Sequence, residues 1–62
     1  MKASTKEKLF EAWLYCEKEE KSTEFMLQYM QDFAGVSLDV VVRFVLFTPD
    51  KEFESRFENA KL

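Results

Sequence analysis

The chain reads as an all-α protein, a small bundle of four short helices spanning about residues 4–19, 23–34, 37–47 and 49–60 of a single domain, 1–62. Three observations predict this. Apolar residues recur at helical spacing along most of the chain. A capping residue stands before each apolar stretch: Ser4, Ser22 or Thr23, Ser37, and Thr48. The single glycine and the single proline fall between the stretches and not inside them.

The first helix opens on Ser4 with Glu7 three residues later, the spacing of a capping box. Leu9, Phe10, Trp13, Leu14 and Cys16 then form one apolar face, while Glu7, Lys8, Glu11, Lys18 and Glu19 fall largely opposite. Tyr15, one turn beyond Glu11, is read onto the solvated side. The run from Glu17 to Lys21 has no apolar residue and marks a fraying end and a short connection. The second helix carries Glu24 near its positive end, where a carboxylate is favoured. Its stripe is Phe25, Met26, Tyr29, Met30 and Phe33, and Gly35 is its natural stop.

The segment from Ser37 to Phe47 is ambiguous. Its valines and phenylalanines favour a strand, and its apolar residues fall on nearly every side, so periodicity does not decide. Helix is the preferred reading for two reasons. A lone strand would lack a pairing partner in this chain. The segment is also about twice the ~5–6 residues of a typical strand. Thr48-Pro49-Asp50 then punctuates the chain, with proline suited to a first helical turn. The last helix presents a narrow apolar face of Phe53, Phe57 and Ala60, the face of a lid over the rest.

Composition bounds the chemistry. The chain has 47% hydrophobic and 16% aromatic residues at a net charge of −3, too apolar and too weakly charged for disorder. At 62 residues it is also short of core, since a domain this size hides only about 60% of its unfolded surface. With no histidine and one cysteine, Ser–His and Cys–His nucleophiles, a disulfide framework and a structural zinc site are all excluded. Cys16 lies on an apolar face and is expected to be a buried core thiol. Glycine-rich phosphate loops and calcium-loop spacing are missing, and the paired carboxylates lie in an exposed charge run and not in a cleft. The expectation is therefore no enzyme, no cofactor and no metal. Val40–Phe47 is too short to cross a membrane, and the N-terminus lacks a signal-peptide run. A lone thiol favours a reducing compartment, the cytoplasm.

One local pattern carries a resemblance. Met30, Ala34, Gly35, Val36, Val41 and Phe44 occupy an apolar–glycine–apolar arrangement across two helices. Over residues 27–46 this resembles the turn and second helix of a helix-turn-helix, in which glycine turns the chain and apolar anchors hold the helices crossed. The resemblance implies a DNA-binding regulator whose second helix would read bases and phosphates through Ser37 and Arg43. The chain departs from the family's pattern at Gln31, where a small residue is usual. It departs again on the outward face of that helix, where Leu38, Asp39, Val42 and Leu46 offer duplex DNA nothing.

That apolar outward face gives the main expectation, a homo-oligomer or a protein partner docked on Leu38, Val42, Val45 and Leu46, with Phe53 and Phe57 as neighbours. Nucleic acid is the alternative partner, and no membrane partner is expected. Two further readings follow from the acidic balance and the small size. Glu17, Glu19, Glu20 and Glu24 could act as a nucleic-acid decoy, or the chain could be a small subunit that stabilises a larger complex.

Overall fold

A computed structural model describes residues 2–61. It contains four helices: α1 Ala3–Lys18, α2 Thr23–Ala34, α3 Leu38–Phe47 and α4 Asp50–Lys61. The ambiguous segment is helical, and no strand occurs among the described residues.

The helix ends show how local chemistry sets the boundaries. Ser22 caps α2 as expected, its hydroxyl accepting from the Phe25 N–H at 3.2 Å. Gly35 closes α2 in the left-handed region at φ 67°, and the Val36 N–H reaches back to the Gln31 carbonyl at 3.0 Å. The Ser4–Glu7 capping box does not form. Helix α1 begins one residue early, Lys2 stands at the cap without a side-chain bond, and Ser4 lies inside the first turn. Glu7 has a stronger partner than a backbone N–H, as shown below. Ser37 stands at the start of α3 but makes no side-chain cap bond. Pro49 sits just outside α4, where its carbonyl accepts from Glu52 and Phe53.

The charged connection after α1 is more ordered than its composition suggests. Lys21 N–H bonds the Cys16 carbonyl at 2.9 Å, and Glu20 N–H bonds Glu17 at 3.2 Å. These two bonds make a Schellman closure. It forces Glu20 to φ 53°, the one non-glycine residue at positive φ among those described.

Helix α1 is the hub, since it packs against each of the other three. The core is Leu9, Phe10 and Ala12 from α1, Met30 from α2, and Val41 and Phe44 from α3. Phe10 meets Phe44 edge-on at 4.9 Å and Phe53 at 5.6 Å, and Phe44 meets Phe53 at 5.7 Å. Such ring pairs contribute about 0.5–1.5 kcal/mol each beyond their burial. Truncating Phe10 to alanine costs about 3–5 kcal/mol. That is comparable with the whole stability of a chain this short, at about 0.05–0.15 kcal/mol per residue.

Helix α4 runs in the same sense as α1 and is fastened to it along its length. Arg56 donates to Glu7 through both nitrogens, Nη1 to Oε2 at 2.8 Å and Nη2 to Oε1 at 2.9 Å. The same guanidinium lies 4.0 Å over the Phe10 ring. Lys6 pairs with Glu52 at 3.6 Å, and Lys18 Nζ donates to the Ala60 carbonyl near the negative end of α4.

Relieving the strain at Glu20 should stabilise the protein. Left-handed backbone costs a non-glycine residue roughly 1–2 kcal/mol, while glycine adds about 0.4–1 kcal/mol of unfolded-state entropy. Glu20→Gly is therefore expected to gain about 0.5–1 kcal/mol, read as a rise of about 2–8 °C in a thermal melt followed by circular dichroism.

Candidate functional site

The interior holds no polar or charged residue among those described, and no buried side-chain polar atom lacks a partner. No cluster of histidine, cysteine, aspartate or glutamate suited to a metal ion occurs among the described residues. Among the described residues no helix is long and apolar enough to cross a membrane. Cys16 is buried, and its thiol is held above the usual cysteine range by burial first and by the Glu17 carboxylate second, with Lys21 opposing. A buried thiol with a raised pKa is a less reactive thiol, and it packs here as a small apolar group.

Two exposed apolar surfaces stand out. The first is α3. Val41 and Phe44 supply its inward anchors, and everything else apolar on the helix except the half-buried Val40 faces out. Leu38 is 47% exposed, Val42 40%, Val45 38% and Leu46 72%. The structure therefore brings these four expected residues onto the open side of one helix. Asp39 and Arg43 flank them and pair with each other at 3.2 Å, one turn apart. Ser37 and Arg43 are also exposed, but Arg43 is the one cation on α3 and is already matched to a carboxylate.

The other two expected neighbours lie on α4. Phe53 points into the aromatic core, 4.6 Å from Trp13 as well as against Phe10 and Phe44. It lines two shallow grooves, one with Val45, Trp13, Met26, Asp50 and Glu54 and one that it shares with Phe57. Phe57 is half-buried beside Trp13 at 6.4 Å, in the second groove with Glu17 and Glu58. The reason is that α4 packs through Phe53 and Phe57 onto α1, so its apolar face is used for closing the fold. The sequence reading missed Phe47, which is 80% exposed at the end of α3 and lines a recess with Lys6, Arg43, Phe44 and Thr48. Its signal was its place as the last apolar residue before Thr48-Pro49.

The second surface draws on the apolar stripe of α2 and on Tyr15 of α1. Phe25, Tyr29 and Phe33 lie four residues apart on α2, and their rings stack nearly parallel, with centroids 5.8 Å apart and planes within 18° and 13°. Tyr15 from α1 stacks on Tyr29 at 4.9 Å and 21°. Tyr29 is half-buried, whereas Tyr15, Phe25 and Phe33 are each more than 40% exposed. The apolar arc of α2 is too wide for one neighbour to cover. Met26, Leu27 and Met30 take the side against the core, the half-buried Tyr29 also packs on it, and Phe25 and Phe33 are left outside. The spacing 25, 29, 33 is the pattern in the sequence that marks the ring row.

Two measurements test these placements. Cys16 should resist a thiol reagent in native buffer and react promptly in denaturant. In addition, the hydrogen bond from Arg56, opposed by desolvation and aided by nearby Lys6, holds the Glu7 carboxyl below the usual glutamate range. A carboxyl depressed in the folded state stabilises above its unfolded pKa and loses that contribution as pH falls through its folded value. Acid titration of stability should therefore show a loss below the normal glutamate range that Glu7→Gln diminishes. Set beside known proteins, the chain matches no family model, no curated protein and no solved structure.

Proposed function

We propose that the protein is non-catalytic and acts by protein–protein contact through the outward face of α3, with a second copy of the chain as its partner. The observation that carries this reading is the exposure of Leu38, Val42, Val45 and Leu46 on one short helix whose core needs are met by Val41 and Phe44 alone. Contiguous apolar surface of this kind on a small protein marks a contact. The flanking charges fit self-pairing. When two α3 helices meet antiparallel about a two-fold axis, the same patch serves both copies, and Asp39 of each approaches Arg43 of the other. A face of one sign would repel its own copy.

The size of the patch sets the strength. A ten-residue helix is about 15 Å long. Alone it falls short of the ~800 Å² per partner of a standard interface. The groove between Val45 and Phe53 adds apolar surface beside it. Association is therefore expected in the micromolar-to-millimolar range, strong enough to matter where the protein is abundant or tethered. The free, buried thiol fits a reducing compartment, and the cytoplasm is the location proposed.

Sedimentation across about 10 μM to 1 mM spans that affinity range. The expected result is a mass rising from the 7.4 kDa of one chain toward twice that value. Leu46→Glu, at an exposed position, should hold the protein at one chain throughout without lowering its thermal stability. A wild-type mass unchanged over the whole range overturns self-association.

A further inference from the structure

We propose that the stacked rings of Tyr15, Phe25, Tyr29 and Phe33 form a docking surface for a basic, arginine- or lysine-bearing segment of another protein, on a side of the molecule distinct from α3. Three observations converge on that chemistry.

The first is the rings themselves. Their stacking on one another holds them as a rigid row and leaves three of the four substantially open to solvent. Aromatic faces attract cations through their quadrupole, and guanidinium groups also stack on them as flat bodies. Pre-stacked rings lose little freedom on binding, which favours affinity.

The second is the charge on either side. Along α1, Glu11 and Glu19 lie one turn before and after Tyr15. On α2, Glu24 and Asp32 each immediately precede a ring of the row, Phe25 and Phe33, on its outer flank. All four are exposed. A strip of π surface edged by carboxylates on both sides complements a partner with cations above and around it. It repels nucleic acid and anionic lipid.

The third is a cation already seated there. Lys21, at the connection between α1 and α2, places its ammonium 5.1 Å from the centroid of the Phe25 ring, the first of the row. The chain's own lysine thus shows the contact a partner would make further along, at Phe33, the open end of the row. The same chemistry operates inside the fold, where Arg56 stacks on Phe10 while bonded to Glu7. That guanidinium–ring–carboxylate arrangement is what the surface offers to an incoming arginine.

The test uses a synthetic octa-arginine peptide titrated into the isotopically labelled full chain and followed by NMR. The expected result is that ring resonances of Phe25, Tyr29, Phe33 and Tyr15 shift together, while the methyls of Leu38, Val42 and Leu46 do not. Phe33→Ser should weaken binding about threefold to thirtyfold, the range of one cation–ring contact. Asp32→Asn, which leaves the rings in place, should weaken it and flatten its dependence on salt. If Phe33→Ser lowers the thermal melt, Phe25→Ser at the other end of the row gives the same reading. Shifts spread over all acidic residues with the rings unmoved, or ring-truncated variants that bind as wild type, overturn the proposal in favour of generic charge attraction. Self-association that consumes the rings, seen as ring shifts on dilution without peptide, also overturns it by assigning the row to a second copy. Because the readout lies on different residues, it separates from the outcome for α3.

Discussion

The fold depends on what happens at one ring. Phe10 sits on α1 with Phe44 of α3 and Phe53 of α4 against its edges and the Arg56 guanidinium over its face. Three of the four helices therefore meet through a single side chain. The guanidinium is held in register by Glu7, one turn earlier on the same helix, through two parallel hydrogen bonds. An exposed ion pair contributes little by itself. Here the pair fixes the geometry of a cation that also covers an aromatic core residue, so the polar and apolar parts of the α1–α4 contact support one another. The narrow apolar stripe of α4 would not otherwise hold it in place.

A core centred on α1 explains why so much grease is left over. Sixty-two residues cannot enclose every apolar side chain of a 47% hydrophobic sequence. Helix α1 satisfies its own needs by touching all three neighbours. Helices α2 and α3 each turn only one side toward it, and each has apolar residues on a second side. On α3 the surplus is aliphatic, and on α2 it is aromatic with acidic margins. Aliphatic and aromatic surpluses suit different partners: the first a like surface of matched shape, the second a cation.

The sequence made the helices legible because their punctuation is local. Gly35, Ser22 and the Thr48-Pro49 step act within a few residues of themselves, and each marks a boundary that the structure contains. Resolving α3 as helix over strand needed two arguments, that a single strand has nothing to pair with and that the segment is too long for one. The failures are long-range. Glu7 has the spacing of a capping residue, but Arg56, 49 residues away in sequence, offers it a charged and bidentate partner. Phe53 and Phe57 read as the packing face of a lid and as neighbours of the α3 patch, but which rings they meet, Trp13 for both and Phe10 and Phe44 for Phe53, is set only when α4 closes onto α1. The left-handed turn at Glu20 had no glycine to announce it. The exposure of Phe25 and Phe33 was not legible, because periodicity identifies an apolar face without saying whether a neighbour reaches all of it. Tertiary contact decided each of these, and a local pattern does not contain it.

The clamp between Glu7 and Arg56 also has a consequence for how the chain comes to be folded. Its two halves are 49 residues apart in sequence, so closing it means gathering all the segments that lie between them. The α1–α2 hairpin, with its close stack of Tyr15 on Tyr29, can organise early from neighbouring segments. During synthesis the first helix emerges well before its fastener exists. Until α4 has emerged, Phe10 lacks the Phe53 ring and the Arg56 guanidinium that pack on it in the folded protein. The interval between those two moments is when this small protein is most open to the wrong company.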